Sequence, residues 1–131
     1  MKHNGMLTVA SLLSLLLFTL HLADDIVRGI EPGTLRNLSV VVTCVVWLYG
    51  ILVLAERRSG YVIMLLGSLL GLALPVAHMM GKGVGVASNV GKSSGAFFFV
   101  WTLLAIGVTS LFSVVVSARA LWSLKSHRQI G

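Results

Sequence analysis

Four long apolar runs dominate this sequence and leave few folds open to it. They cover residues 6–23, 38–55, 61–80 and about 96–122, and none carries an acidic or basic residue in its central stretch. A helix needs about 20 apolar residues to cross a hydrocarbon core about 30 Å thick, and each run approaches or exceeds that length. The runs also lack the period-two alternation of a transmembrane β-barrel. The sequence therefore predicts an all-α membrane protein, an antiparallel four-helix transmembrane bundle.

The apolar runs predict one four-helix domain over residues 1–131. Its helices are expected at about 6–28, 37–55, 61–80 and 96–122, joined by the connectors LADDIVRGIEPGTLRN, ERRSG and GKGVGVASNVGKSSG. The third connector is rich in Gly and Ser, which is typical of a flexible outer loop that can fold over the end of the bundle. The first run is expected to remain as a helix, because His21 would lie where a signal-peptide cleavage site requires a small residue.

Composition narrows the classes of function. The chain is 56% hydrophobic and 11% charged, whereas a soluble domain carries roughly 45–50% apolar and about 25% charged residues. This balance excludes a soluble enzyme, a disordered tail and a nucleic-acid-binding domain. The single cysteine, Cys44, lies within the second run, so the chain can form no intramolecular disulfide. No acidic residue lies near the centre of a run, which argues against a proton-coupled exporter. Enzymatic activity is left open.

Basic residues predict the orientation in the membrane. The formal net charge of +6 arises from residues between the runs, where they set orientation rather than bind nucleic acid. In a bundle with four spans, one side carries Lys2, Arg57, Arg58, Arg119, Lys125 and Arg128. The other side carries Arg28, Arg36, Lys82 and Lys92, together with Asp24, Asp25 and Glu31. This bias favours cytoplasmic termini, and we expect an integral protein of the plasma or inner membrane.

Small residues within the runs predict close helix packing. Gly67 and Gly71 have GxxxG spacing, and the fourth run repeats small residues at helical spacing. Such residues let helix backbones approach closely in lipid. Packing inside one bundle is the expected use, and a seam between two copies is the alternative. The expected partners are the lipid bilayer and a homo-oligomer or larger membrane complex, with no nucleic acid.

A polar stripe closes the first predicted helix. His21, Asp24, Asp25 and Arg28 are spaced three or four residues apart, so they share one side of a helix. Ionisable residues at membrane depth face protein or water and indicate a functional site. The structural alternative is an Asp24–Arg28 ion pair with a hydrogen bond between Asp25 and His21. These interactions would only end the helix at the membrane interface.

A second histidine, His78, ends the third predicted helix, which runs parallel to the first. The two imidazoles should therefore lie at one level, at the outer end of the bundle. With Asp24 or Asp25 they would form a mixed nitrogen and oxygen site for zinc or another divalent ion. Met79 or Met80 would add a soft ligand for copper. A haem b clamped between the two histidines is the other cofactor considered.

These observations leave two classes of function. In the first, the chain is a non-catalytic subunit or scaffold of a membrane assembly. In the second, His21, Asp24, Asp25 and His78 form a ligand or metal site that serves transport or catalysis, or a bis-histidine haem site for electron transfer. Aromatic residues at the start of the fourth run, Phe97, Phe98, Phe99 and Trp101, are expected to anchor it at the membrane interface.

Overall fold

The fold is an antiparallel bundle of four long apolar helices. The structure, a computed structural model, describes residues 2–80, 90 and 94–127. The helices are α1 (Lys2–Val27), a short 3₁₀ helix (Leu35–Asn37), α2 (Leu38–Leu52), α3 (Arg58–Met80) and α4 (Ala96–His127). All four α-helices are long and apolar enough to cross a membrane. The predicted all-α membrane architecture is confirmed.

The helix boundaries differ from the predicted ones mainly at the ends. Helix α2 stops at Leu52 and α3 starts at Arg58, because residues 53–57 form a turn in which the Arg57 amide donates to the carbonyl of Leu54. Helix α4 continues five residues beyond the predicted end, to His127. The third connector lies largely outside the described residues, as does its expected closure over the bundle.

Helix α1 ends in a glycine cap that fixes the backbone of its last turn. Gly29 adopts a left-handed conformation (φ 71°), and its amide donates to Ile26 O at 3.0 Å. The Ile30 amide donates to Asp25 O at 2.9 Å. This pair of bonds is a Schellman motif, which favours glycine because other residues rarely adopt the left-handed region. The cap holds the main chain of Asp25 in place.

The four helices divide the interior into an apolar end and a polar end. Helix α4 packs most extensively against α3 and α1, and α2 packs mainly against α3. The apolar end joins the first half of α1 to the end of α2 and the start of α3, through Leu7, Leu15, Trp47, Ile51, Tyr61 and Met64. The polar end is formed by the last turns of α1 and α3 and the first turns of α4.

The glycines of the GxxxG pair are used inside the bundle. A Cβ atom at Gly67 would overlap the Trp47 ring of α2, and one at Gly71 would overlap the Ser110 hydroxyl of α4. Ser110, Ser113 and Ser117 are all buried. Close approach therefore brings α3 against both α2 and α4, as expected for small residues in a membrane bundle.

Candidate metal centre

Two histidines and one aspartate meet at the polar end of the bundle. His21 and Asp25 lie one turn apart on α1, and His78 comes from the last turns of α3. Their side chains are almost completely removed from solvent, with relative exposures of 1% for His21, 6% for Asp25 and 10% for His78. One donor atom from each residue lies within 4.8 Å of the others. Three of the four predicted site residues thus converge.

The hydrogen bonds around His21 favour one tautomer of its ring. Its Nδ1 lies 3.1 Å from the hydroxyl oxygen of Thr102 on α4. That hydroxyl is 3.0 Å from the carbonyl oxygens of Phe98 and Phe99, which can only accept its proton. With that proton on a carbonyl oxygen of its own helix, the Thr102 oxygen accepts from the Nδ1–H of His21. The Nε2 of a neutral His21 ring then carries a lone pair, and it has no hydrogen-bond partner among the described residues.

His78 is oriented in the same way by the main chain. Its Nδ1 lies 3.0 Å from the carbonyl oxygen of Leu74, one turn earlier on α3. A carbonyl oxygen only accepts, so Nδ1 carries the proton. The other nitrogen, Nε2, lies 3.3 Å from Oδ2 of Asp25. A neutral His78 ring consequently turns a lone pair towards the carboxylate.

The carboxylate of Asp25 stands between the two imidazoles. Its Oδ2 is 3.3 Å from His78 Nε2 and 3.7 Å from His21 Nε2. Its second oxygen, Oδ1, is buried and has no hydrogen-bond partner within the described part of the chain. Three electron-rich atoms therefore face one another in a low-dielectric setting. A cation between them, a proton or a metal ion, would make this arrangement favourable.

The two separations around Asp25 suit a tetrahedral metal ion. Ligands about 2.0–2.1 Å from zinc stand roughly 3.4 Å apart, close to the 3.3 and 3.7 Å separations around Asp25. Metal-bound histidines usually donate their second N–H to a carbonyl or other oxygen. Both histidines do so here, to Leu74 and Thr102. Three protein ligands leave a fourth coordination position for water or a substrate.

Phe99 forms the apolar wall of the site. Its ring centroid lies 4.9 Å from that of His21 and 5.7 Å from that of His78, and its side chain is fully buried. The expectation that Phe99 anchors the helix at the membrane interface is therefore wrong. Its neighbours Phe97 and Trp101 are exposed, as an anchor at the membrane interface would be. Thr102 and Phe99 are the two site residues that the sequence did not indicate.

Asp24, the fourth predicted ligand, is engaged elsewhere. Its Oδ2 accepts from Nε of Arg28 at 2.7 Å. The same guanidinium donates to the carbonyl oxygens of Ser94 and Gly95 at 3.2 and 2.9 Å. Arg28 therefore clamps the end of α1 to the start of α4. Asp24 serves this clamp, as the structural alternative expected, and is not among the residues whose donor atoms converge.

The methionine ligands for copper and the haem are the remaining predicted alternatives at this site. Met79, a proposed soft ligand for copper, is 71% exposed, and the side chain of Met80 lies outside the described residues. The two imidazoles are in edge-to-face contact, with centroids 4.9 Å apart and an interplanar angle of 72°. Haem ligated by two histidines needs one ring on each face of the macrocycle, and rings that touch leave no space for it. The donor set fits a small ion and does not fit haem.

Comparison with known proteins finds no relative whose function could be transferred to this chain. No protein-family model, no curated protein and no solved structure matches the chain. The function of this four-helix membrane protein is accordingly inferred from the geometry of His21, Asp25 and His78.

Proposed function

We propose that this chain is a small polytopic membrane protein that binds one divalent transition-metal ion, zinc or an ion of similar preference, at the polar end of its bundle. The ligands are Nε2 of His21, Nε2 of His78 and Oδ2 of Asp25. Imidazole nitrogen and carboxylate oxygen form a donor set that zinc accepts readily.

The observation that carries this proposal is the presence of buried polar atoms without hydrogen-bond partners at the site. Both Nδ1 atoms are committed as donors, and His21 Nε2 and Asp25 Oδ1 have no partner among the described residues. Buried polar atoms are normally paired, and an unpaired one costs about 1–3 kcal/mol. A bound ion would remove that cost at His21 Nε2, because this atom is one of its proposed ligands.

The test is metal binding by the purified protein, made without a polyhistidine tag and with His3 and His127 replaced by glutamine. After treatment with a chelator, the protein is reloaded with Zn²⁺, and its zinc content and affinity are measured by elemental analysis and by competition with a chromophoric chelator. We expect about one zinc per chain. Substitution with Co²⁺ should give the intense visible absorption of a tetrahedral site.

Asp24 and Asp25 provide a matched pair of variants. Asp25→Asn removes a proposed ligand, whereas Asp24→Asn makes the same chemical change one residue away, in the Arg28 clamp. We expect D25N to lose at least 100-fold in zinc affinity and D24N to remain within about threefold of the starting protein. Equal losses in both variants, with helical circular dichroism unchanged, would overturn the proposed ligand set.

The second candidate is a non-catalytic subunit or scaffold of a membrane assembly. It is favoured by the Arg28 clamp, in which half of the polar stripe joins α1 to α4. In this case a proton, rather than a metal, lies between Asp25 and the histidines. A protein that retains no zinc and shows no Co²⁺ absorption would support this candidate and exclude the metal site.

A further inference from the structure

The end of the bundle opposite the metal centre contains a second feature, a cleft between the start of α3 and the end of α4. Its volume is about 730 Å³. Charged side chains of Glu56, Arg58 and Lys125 line it together with an apolar wall that includes Val62, Leu65 and Leu121. We propose that this cleft binds the headgroup and upper acyl chain of one anionic phospholipid.

The depth of the cleft matches a lipid. Thr102 and Lys125 are 23 positions apart on the continuous helix α4, which corresponds to about 34 Å at 1.5 Å per residue. The hydrocarbon core is about 30 Å thick. With the metal centre near one interface, Lys125 therefore reaches the headgroup layer on the opposite side. Trp122, on the same rim, is 78% exposed, as is typical of an interfacial aromatic residue.

The polarity of the cleft follows the polarity of a phospholipid along the membrane normal. Arg58 begins α3, and Leu65 lies seven residues, or about 10 Å, further into the bundle. The charged rim is therefore at headgroup depth, and the wall is at the depth of the first acyl carbons. An acyl chain on that wall would be in contact with Val62 and Leu65.

The charges on the rim favour an anion. Two cations and one carboxylate leave a net charge of +1 at the cleft, which complements a single phosphodiester. Arg58 also occupies the first turn of α3, where the helix dipole adds a partial positive charge. Basic pockets between transmembrane helices bind anionic headgroups, and each basic residue near the surface adds to that attraction.

The experiment compares lipid retention by the full chain under native mass spectrometry. The delipidated protein is mixed with palmitoyl-oleoyl phosphatidylglycerol or with the corresponding phosphatidylcholine. We expect one phosphatidylglycerol to be retained at least tenfold more strongly than phosphatidylcholine. Equal retention of the two lipids would overturn the proposal, because the rim would then not select the anion.

Two double variants separate the cleft from the general basic charge at this end. R58Q/K125Q removes the two cations of the rim, and R57Q/R119Q removes two cations of the same end that do not line the cleft. We expect phosphatidylglycerol affinity to fall at least tenfold in the first and less than threefold in the second. Equal falls would indicate diffuse attraction and contradict a cleft.

A steric variant tests the cleft without changing its charge. Ala118 lines the cleft and is exposed, so Ala118→Trp should fill the space while leaving the buried face of α4 intact. We expect A118W to lose the retained phosphatidylglycerol and to keep its zinc content. Unchanged lipid retention would contradict the site. A dimer that A118W dissociates, with no lipid dependence, would assign the cleft to a second copy of the chain and overturn the proposal.

Discussion

At the residue scale, one hydroxyl determines the chemistry that His21 can offer. Thr102 donates to the main chain of its own helix and accepts from Nδ1 of His21, which leaves Nε2 as the atom free to bind an ion. Thr102 would thus act on the proposed metal ion through the histidine, as a positioning residue. Loss of such an outer partner typically weakens metal binding by 10–100-fold.

Thr102→Val tests this role with little change in side-chain volume. We expect T102V to lose 10–100-fold in zinc affinity, because His21 loses the acceptor that fixes its ring and tautomer. Thr102→Ser retains the hydroxyl and should restore affinity to within about threefold. A purely structural role of the hydroxyl would instead lower the thermal stability of metal-free T102V and leave its zinc affinity unchanged.

The same scale shows what the sequence could and could not predict about the site. The three- and four-residue spacing of α1 placed His21 and Asp25 on one side of the helix, and parallel helices brought His78 to their level. Spacing alone could not separate Asp24 from Asp25, since both fit the stripe. What distinguishes the two aspartates is Arg28, which pairs with Asp24. Arg28 also donates to the carbonyl oxygens of Ser94 and Gly95, which are far away in the sequence. Thr102 and Phe99 were missed because their rotation on α4 depends on tertiary packing.

At the scale of helices, the contact between α3 and α4 depends on the absence of a side chain at Gly71. A methyl group at this position would overlap the hydroxyl of Ser110. That hydroxyl is buried and has no hydrogen-bond partner among the described residues. Its removal should therefore cost little.

This contact predicts a compensating pair of substitutions. We expect Gly71→Ala to lower the free energy of unfolding by about 1–3 kcal/mol, the usual cost of overpacking. Ser110→Ala should be nearly neutral, and G71A/S110A should recover most of the stability because the added methyl replaces the missing oxygen. Reversible unfolding in mixed detergent measures all three. Additive effects in the double variant would show that the two residues do not share this contact.

Helix positions were the most predictable part of the fold, because the length and continuity of apolar runs are fixed by the bilayer. The ends of the helices were less predictable. Helix α2 stops early because the short turn to α3 needs residues 53–57. Helix α4 extends to His127 because nothing in the polar tail breaks a helix, although the apolar pattern that guided the prediction ends near Trp122.

At the scale of the whole molecule, orientation in the membrane is still a prediction of the charge distribution. We expect the turn between α2 and α3 to face the cytoplasm and the start of α4 to face outwards. Single cysteines at Ser59 and Ser94, in a chain with Cys44→Ala, report this through an impermeant thiol reagent applied to intact cells. Labelling should occur at position 94 and not at position 59. The reverse pattern would invert the orientation while leaving the bundle unchanged.

The proposed metal site also predicts a global gain in stability. A ligand bound only by the folded state adds about 2.7 kcal/mol at 100 times its Kd. Zinc should therefore raise the thermal unfolding temperature of the parent protein. It should leave that of His21→Ala unchanged, provided that H21A retains the helical circular dichroism of the parent. A similar rise in both proteins would place the stabilising ion elsewhere.

The division of the site among three helices also has a consequence for the order of assembly. Synthesis delivers α1 first, with His21 and Asp25 already in its last turns, whereas His78 follows on α3 and Thr102 only on α4. Until α4 has inserted, His21 therefore lacks the contacts that Thr102 and Phe99 supply. A nascent chain arrested before α4 would lack the acceptor for His21 and the wall formed by Phe99. Completion of the site thus marks the insertion of α4, and a probe of that site would report biogenesis as well as binding.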